Sequence, residues 1–514
     1  VLVPPGTLME LYTMNKIVPP LAPLPTCHTL EVEDPGDLGT SAFGALADVP
    51  LEFQLEYKRV SKVHAKIRRT RIMPSMESAD EEPWVLGSSV WKRRNTDSDS
   101  EAFFDTPQVV KAVRTRDFSR LFKKSVFTRF MVEQQNELSR NLYPDEDMFF
   151  GSLQEVLSNS YLHIHHIFMI YAARDKEHPF NLNWEGFKVV CTDCGVLDEG
   201  TAVDAESLEN VFRLTNIEEF DEEIDEKMRE QQDKLNDDDK FTLSEFIEAL
   251  CRVAIELYAK SMHSKRICDA IRKFLEEDFY QLHNKVPDYF EDRNVFRQKR
   301  MYNSEVDGIL RQNFSLLQAL FDLYKLHNHP PKSRTRPKYL QIAGWMQLLT
   351  DVDMIDSKVT PEIARTVFKS SQMLVINESD IPRTNGLMMP DFLEAISLLA
   401  DILYFPAFEE LAKLKYVNFF SWYQECLENP LIPPHHLAWK TKKRPAVEKN
   451  RRPLVQQLDG FLEILFQSIW FRYEHKTGVY TNAALEDVIK ARIDVIEKQI
   501  RKNQQSSVTT RIAG

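Results

Sequence analysis

Apolar residues recur at intervals of three and four along most of the chain, which is the spacing of one face of an α-helix. An early example comprises Phe118, Leu121, Phe122, Val126, Phe127, Phe130 and Met131. The pattern starts at about residue 107 and continues almost to the last residues. Glycine accounts for only 15 of 514 residues, whereas an average protein has ~7%, and this scarcity disfavours turn-rich β folds. The sequence therefore predicts an all-α fold.

Two stretches of this helical pattern match each other at a separation of roughly 150 residues. The segment Ser160–Tyr171 matches Asn313–Tyr324, and each has an aromatic residue three positions before its tyrosine. Further matches follow in the same order: Phe187 with Trp345, Asp198 with Asp356, Phe212 with Phe368, and Phe246–Leu250 with Phe392–Ile396. A third copy begins at Leu462–Tyr473. The sequence therefore predicts two tandem helical modules and a partial third unit.

Each module contains two short polar loops, and an aromatic residue follows each loop. If these aromatics come directly after a 12-residue EF-hand loop, the eighth loop positions are Leu182, Phe241, Leu340 and Leu387. In paired EF-hands the residue at that position joins the partner loop in a short β-bridge and closes the core. All four residues are apolar, so the pattern predicts that this packing is retained in both modules.

The calcium-ligand positions of the same loops are incomplete. Calcium usually takes oxygen ligands from loop positions 1, 3 and 5 and a bidentate glutamate at position 12. Position 12 is Gly186 in the first loop, Gly344 in the third and the shorter acid Asp391 in the fourth. The second loop begins with Lys234, and its weak candidate ligands are Asn236, Asp238, Thr242 and Glu245. We therefore expect no cofactor, with calcium at the second loop as the alternative.

The second loop and its flanking helices resemble a motif of EF-hand-like proteins of cilia and flagella. In that motif an aromatic helix precedes an acidic insert, and a helix with the pattern Phe-x-Glu-Ala-Leu-x-Arg-x-Ala follows. Here Val211–Asn216 belong to the first helix, and Phe246–Ala254 supply the pattern of the second. The resemblance implies an axonemal scaffold attached to doublet microtubules, in which EF-hand folds are reused as adaptors.

The second module departs from this motif at one position. It keeps the final alanine as Ala400, but Leu398 stands at the position of Arg252. The resemblance covers residues 150–260 and 305–405, which is less than half of the chain.

Two basic arms contrast with the net charge of −13 of the whole chain. The arm at 58–71 includes Lys58, Arg59, Arg68, Arg69 and Arg71. The arm at 440–452 includes Lys440, Lys442, Lys443, Arg444, Arg451 and Arg452. Because the microtubule surface is strongly acidic, these residues are the predicted contacts with tubulin, with exposed linkers as the alternative. Few aromatic residues accompany them, so we do not expect a nucleic-acid partner.

Other polar features favour structural interpretations. Residues 218–240 contain 12 acidic and 4 basic side chains, which is typical of a solvated insert, with a docking tail for a basic partner as the alternative. Cys191 and Cys194 form a lone CxxC motif, short of the four ligands that zinc requires. We expect packed or surface histidines rather than metal ligands at three positions of one apolar helix, His163, His165 and His166.

The motifs GxxxxGK[ST], GxGxxG, HExxH and GxSxG are all absent from the sequence, so we expect no enzymatic activity. No run of 18 apolar residues is present, so we expect no membrane span.

Together these features predict an all-α protein with two EF-hand-like modules, a partial third unit, and extended Pro-rich and basic arms. The expected divisions are an N-terminal arm and Ser/Asp/Glu-rich linker at 1–106, a first module at 107–265, a second at 266–410, and C-terminal helices with the basic arm at 411–514. The predicted function is a non-enzymatic structural adaptor of the ciliary or flagellar axoneme, bound to doublet microtubules on either wall and to other axonemal proteins. The alternatives are a calcium-responsive adaptor and a structural subunit of another large assembly, such as a ribonucleoprotein.

Overall fold

In the computed structural model, the described residues all belong to one compact unit, Glu82–Gly514, the second of two units into which the chain divides. The structure describes residues 83–138, 145–217, 239–259, 266–284, 293–327, 337–355, 359–377, 381–403, 405–406, 408–428, 453–474 and 480–512, all in the second unit. These residues are mostly helical with a few two-residue strands, which confirms the all-α prediction. Within the described ranges, no helix combines the length and apolar character that crossing a membrane requires.

The first half of the described chain contains eight α-helices, of which the last seven form the first module. In chain order they are α1 (Arg94–Asp97), α2 (Pro107–Lys123), α3 (Ser125–Leu138), α4 (Glu146–Ala172), α5 (Trp184–Asp193), α6 (Ala205–Thr215), α7 (Leu243–Ala254) and α8 (Ile267–Lys273). Strands β1 (Leu182–Asn183) and β2 (Lys240–Phe241) directly precede α5 and α7. The side chains of Asn183, Asp204 and Thr242 accept backbone N–H groups in the first turns of α5, α6 and α7, which sets where these helices begin.

The second half repeats this arrangement and adds helices after it. In chain order they are α9 (Arg293–Phe296), α10 (Ser304–Gln312), α11 (Phe314–Tyr324), α12 (Ile342–Asp351), α13 (Pro361–Ser371), α14 (Ile381–Thr384), α15 (Met389–Ile402), α16 (Phe408–Lys413), α17 (Phe419–Glu428), α18 (Leu454–Glu474) and α19 (Asn482–Ile512). Strands β3 (Leu340–Gln341) and β4 (Gly386–Leu387) precede α12 and α15. A π-helical turn at Arg297–Met301 continues α9.

Two antiparallel strand pairs join the loops that the repeat pattern aligned. Leu182 pairs with Phe241 in the first module, and Leu340 pairs with Leu387 in the second. All four side chains are completely buried. The predicted apolar bridge between the two loops of each module is therefore confirmed.

A tyrosine–aspartate hydrogen bond also recurs in both modules. Tyr171, at the end of α4, donates to Asp193 Oδ2 at 2.7 Å, and Tyr324, at the end of α11, donates to Asp351 Oδ2 at 2.7 Å. Each aspartate lies six positions after the aromatic residue that follows the loop. Asp193 and Asp351 are therefore a matching pair of acids that the sequence comparison missed; of the predicted pair, Asp198 and Asp356, the second residue lies outside the described residues.

The partial third unit packs onto the second module. Its helix α18 lies against α10, α12 and α15. Tyr473 of α18, the tyrosine that the repeat pattern matches to Tyr324, donates to Asp351 Oδ2 at 3.2 Å. In α17, the Tyr423 hydroxyl donates to the carbonyl oxygen of Val352 at 3.0 Å. The third unit therefore completes the core of the second module.

Residues 83–106, which we call the N-terminal strap, are packed rather than extended. Trp91 is completely buried, and so is Arg94. The indole N–H of Trp84 and the backbone N–H of Val90 donate to the Asp307 carboxylate at 3.0 and 2.9 Å. The expectation of a linker up to residue 106 is therefore wrong for these residues, because a few anchoring side chains fix a segment whose overall composition is polar.

The boundary between the modules lies later than expected. Helix α8 begins two residues after the predicted boundary at residue 265, yet it packs against α3, α4 and α7 of the first module. The π-helical turn at Arg297–Met301 contacts α15 through Arg297 instead. The change of module therefore falls between residues 284 and 297.

Candidate functional site

Asp175, at the first position of the first loop, stabilises the loop itself. Asp175 Oδ1 accepts the backbone N–H groups of Glu177 and His178 at 2.8 and 3.1 Å, and its Oδ2 accepts Asn183 Nδ2 at 2.8 Å. Partial burial raises the pKa of Asp175, but these hydrogen bonds to the charged form outweigh it and leave the pKa below its usual value. The carboxylate therefore fixes the turn that leads into β1.

The glutamate that closes the second loop is a helix cap. Glu245 Oε2 accepts both the backbone N–H and the hydroxyl of Thr242 at 2.8 Å, and the Glu245 N–H points back to that hydroxyl at 3.5 Å. This reciprocal arrangement is a capping box at the start of α7. Of the four candidate calcium ligands, the structure brings Thr242 and Glu245 together in this cap, while Asn236 and Asp238 lie outside the described residues.

The closing position of the third loop has no room for a side chain. A Cβ added at Gly344 would lie 2.3 Å from the carbonyl oxygen of Tyr324 and 2.8 Å from Leu340 Cδ1. The start of α12 therefore packs directly on the backbone at the end of α11. A glutamate at this position would require α11 to move.

The closing acid of the fourth loop binds arginines. Asp391 is completely buried, and its Oδ2 accepts the backbone N–H of Met388 at 3.2 Å. Its Oδ1 accepts Arg94 Nη2 of the N-terminal strap at 3.0 Å, and Arg383 Nη1 lies 3.5 Å from Oδ2. Across the described parts of the chain, no three His, Cys, Asp or Glu side chains are grouped as metal ligands would be.

A buried glutamate recurs three residues after each closing acid, as Glu248 in α7 and Glu394 in α15. Glu248 Oε1 accepts Arg252 Nη2 at 2.8 Å, and Lys124 Nζ lies 3.2 Å from Glu248 Oε2. Burial raises the pKa of Glu248 above its ordinary value, although both cations act in the opposite direction. The first module thus neutralises its buried glutamate with an arginine one helical turn later.

The second module has Leu398 in place of that arginine and obtains its cations from elsewhere. Arg94 of the N-terminal strap forms an ion pair with Glu394, and Arg297 Nε lies 3.0 Å from Glu394 Oε2. Arg297 Nη1 also pairs with Asp105 Oδ2 at 2.8 Å. We call these groups the buried charge cluster: Arg94, Asp105, Arg297, Arg383, Asp391 and Glu394.

The buried charge cluster is electrically balanced, with three guanidinium groups and three carboxylates. Burial lowers the pKa of Arg94, but Glu394, Tyr302 and Asp391 together outweigh it and raise the pKa well above its ordinary value. Arg94 therefore stays charged although it is completely buried. No sequence signal marked Arg94, because it lies in a polar segment without periodicity.

The modules contact each other through side-chain donors and backbone acceptors. From α13, Arg365 donates to the carbonyl oxygens of Ala173 and Arg174 at 2.5 and 3.0 Å, and Lys369 Nζ donates to that of Pro179 at 2.8 Å. The first two carbonyls follow the last turn of α4, where carbonyl groups lack partners within the helix and carry partial negative charge. We call this set the carbonyl contacts.

The cost of burying the Lys369 ammonium outweighs the aromatic and carbonyl contacts that favour its charge. The ammonium lies 5.8 and 5.3 Å from the ring centroids of Phe168 and Phe180. Burial, and then the positive charge of Arg293, lower the pKa of Lys369 to about 7. Burial, followed by the positive charges of Arg293 and Lys369, lowers the pKa of His165 to about 3, so this imidazole is neutral at neutral pH.

The titration of Lys369 should make the stability of the fold depend on pH. Between about pH 7 and its ordinary pKa of about 10.4, the unfolded chain binds a proton at Lys369 that the folded chain has lost. The free energy of unfolding should therefore rise as the pH is raised through this range. Urea unfolding of wild type and Lys369→Met near pH 7 and pH 9.5 should show a smaller rise in the variant, whereas Lys92→Met, at an exposed position, should keep the wild-type rise. Equal pH dependence in wild type and Lys369→Met would contradict this assignment.

The histidines and the CxxC cysteines contribute to packing. The His163 ring lies 5.2 Å from the ring of Phe279 and 5.3 Å from that of Tyr280, as expected for a packed histidine. Cys191 is a buried free thiol, and burial followed by the nearby Cys194 raises its pKa well above the ordinary value. A thiol with a raised pKa forms little thiolate and is therefore a poor nucleophile.

All predicted tubulin contacts in the arms 58–71 and 440–452 lie outside the described residues, as does most of the acidic segment 218–240. The described residues define an all-α protein with a duplicated helical module. The polar side chains described in its loops form contacts within the chain. No family model, curated protein or solved structure matches the chain.

Proposed function

We propose that the protein is a non-enzymatic structural adaptor of the ciliary or flagellar axoneme that binds doublet microtubules and neighbouring axonemal proteins. One observation carries the proposal: the side chains at the calcium-ligand positions of the described loops form intramolecular contacts. Asp175 fixes a turn, Glu245 caps a helix, and Asp391 pairs with arginines. Such loops support the shape of a module, which is the property that an adaptor requires.

An EF-hand-like origin of both modules is part of this proposal. Each module has two helix–loop–helix units, and their loops meet in a two-residue antiparallel bridge at the position expected for an EF-hand pair. The equivalent bridge residues, Leu182 and Leu340, precede helices that each begin two residues later. The match of bridge register and flanking aromatic residues supports a pair of EF-hands that kept its packing.

Helices of the same chain already cover equivalent surfaces of the two modules. Helix α2 packs on α7 and buries Val113, Phe118 and Leu121, while α18 packs on α15, the repeat equivalent of α7. Calcium sensors of the EF-hand class work by exposing an apolar groove to a partner helix. Since these surfaces are covered from within the chain, this packing favours a static adaptor over the calcium-responsive alternative. The external contacts of such an adaptor would then involve its outer surfaces and its basic arms.

Microtubule binding through the basic arms can be tested with the full chain. Replacing the basic residues at 58–71 and at 440–452 with glutamate should reduce co-pelleting with microtubules at least about tenfold, because the arms would then repel an acidic surface. Variants that exchange lysine and arginine at the same positions should pellet as wild type does. Unchanged pelleting of the glutamate variants would reject binding through the arms.

Localisation tests the axonemal part of the proposal separately. A tagged full chain expressed in a ciliated cell should be found along the axoneme and remain there after detergent extraction. Absence from the axoneme, together with RNA binding that weakens steeply as salt is raised, would favour a ribonucleoprotein subunit instead.

A further inference from the structure

A cleft of about 410 Å³ opens on the surface of the second module, and its lining adjoins β3, β4 and the buried charge cluster in sequence. The N-terminal strap, α11, the segment before β3 and the start of α15 surround it. Its volume lies in the range of about 300–1,000 Å³ that is usual for ligand sites. The cleft can therefore enclose a side chain with its neighbouring backbone.

The floor of this cleft is apolar and deformable. It is formed by Phe321, Met388, Met389 and Pro390, and the two methionines are 9% and 6% exposed. Methionine side chains are unbranched and polarizable, so they adapt to the shape of an apolar group placed on them. The floor is therefore suited to an aliphatic or aromatic side chain.

The rim of the cleft is positively charged. Arg93 and Lys338 are exposed, and neither side chain forms a hydrogen bond or ion pair with another described residue. Lys325 also lines the cleft but is already paired with Asp322. Asp97 is the one acid among the lining residues, and its Oδ1 accepts the hydroxyl of Thr96 at 2.7 Å. Two cations thus flank an apolar floor without a partner of opposite charge in the described chain.

We propose that this cleft binds an acidic peptide segment of a partner protein, with one apolar side chain on the methionine floor and carboxylates paired with Arg93 and Lys338. The planar guanidinium of Arg93 can bind a carboxylate with two parallel hydrogen bonds, and Lys338 supplies a second point charge. A nucleic acid fits this site less well, because single strands bind along an extended basic groove that follows their backbone, whereas this cleft is confined and has two unpaired cations and the acid Asp97 in its lining. This inference goes beyond the proposed microtubule binding, since it concerns a folded cleft and not the basic arms.

The test measures fluorescence anisotropy of the full chain with a labelled peptide in which one phenylalanine is flanked on both sides by glutamates. The double variant Arg93→Glu/Lys338→Glu should bind at least about tenfold more weakly than wild type. The control Lys92→Glu/Lys111→Glu changes the net charge equally at exposed positions outside the cleft, and its affinity should stay close to that of wild type. A peptide with alanine in place of phenylalanine should also bind more weakly.

Three results would overturn the proposal. Equal losses in the two double variants would show that only the overall charge matters. Binding of single-stranded RNA in preference to the peptide, lost in Arg93→Glu/Lys338→Glu, would assign the cleft to nucleic acid. Tighter peptide binding after the acids of 218–238 are replaced by serine would show that the chain's own acidic segment occupies the cleft. Microtubule pelleting of Arg93→Glu/Lys338→Glu should match that of wild type. Failure of the cleft proposal can therefore be distinguished from failure of microtubule binding through the arms.

Discussion

Replacing Glu394 with alanine should lower the free energy of unfolding by about 3–5 kcal/mol. The carboxylate is buried between the guanidinium groups of Arg94 and Arg297, which are themselves completely buried. Without it, the buried charge cluster would hold three positive charges against two negative ones. Removing one partner of a buried pair is costly because the charge that remains loses both water and its counter-ion. Urea unfolding of the full chain, followed by tryptophan fluorescence, measures this loss.

Glu362 provides a matched control for this experiment. It pairs with Arg174 at 2.9 Å across the contact between the modules, but both side chains are well exposed, at 44% and 37%. An exposed pair of this kind contributes less than about 1 kcal/mol, so Glu362→Ala should leave the unfolding midpoint nearly unchanged. If Glu394→Ala proved no more destabilising than Glu362→Ala, the buried charge cluster would not be a stabilising feature of the second module.

Replacing Gly344 with alanine should destabilise the fold by about 1–3 kcal/mol, a large effect for the addition of one methyl group. The added Cβ would lie 2.3 Å from the carbonyl oxygen of Tyr324, and backbone atoms cannot move aside as a flexible side chain can. The start of α12 would therefore be pushed away from the end of α11. The Tyr324–Asp351 hydrogen bond joins these same two helices and would be strained with them. Thermal unfolding followed by circular dichroism measures the change.

For a second glycine within a helix, we expect a change in stability of the opposite sign. Gly308 lies in α10, and an added Cβ there would meet no atom within 4 Å. Gly308→Ala should therefore raise stability by about 0.5–1 kcal/mol, because alanine loses less conformational freedom than glycine when a helix forms. Stabilisation by Gly344→Ala to the same extent as by Gly308→Ala would show that helix propensity, and not the close backbone contact, governs Gly344.

The repeat and its loop bridges could be predicted because local patterns encode them. Hydrophobic periodicity located the helices, and counting back from the aromatic residues found Leu182 and Leu340 with their strand partners. The pairing of Tyr171 with Asp193 was missed because acidic residues are frequent near both positions and their spacing alone does not distinguish them. Local sequence patterns therefore predicted the two modules, but they did not predict which side chains pair with each other inside them.

The packing of the N-terminal strap could not be predicted for a different reason. Arg94 contacts Asp391 and Glu394 across 297 and 300 sequence positions (391 − 94 and 394 − 94), and no short-range pattern encodes such a contact. Leu398 marked the place where the motif lacks a cation, but the sequence did not indicate which distant arginine would replace it. Composition was also misleading here, because a few packed or paired side chains, among them Trp91 and Arg94, anchor a segment rich in polar residues.

The carbonyl contacts have a consequence for how the sequence can diverge. Arg365 and Lys369 supply specific side chains, whereas Ala173, Arg174 and Pro179 supply only main-chain oxygens, which every amino acid possesses. For the hydrogen bonds alone, any side chain that keeps the backbone path can stand at the three acceptor positions, while the two donors must keep their N–H groups. Ala173 and Pro179 are also buried, so selection acts on the donor groups of one module and on side-chain volume at two acceptor positions of the other. Comparison of related sequences should accordingly show invariance at the two donors, side chains of similar size at Ala173 and Pro179, and drift at the exposed Arg174.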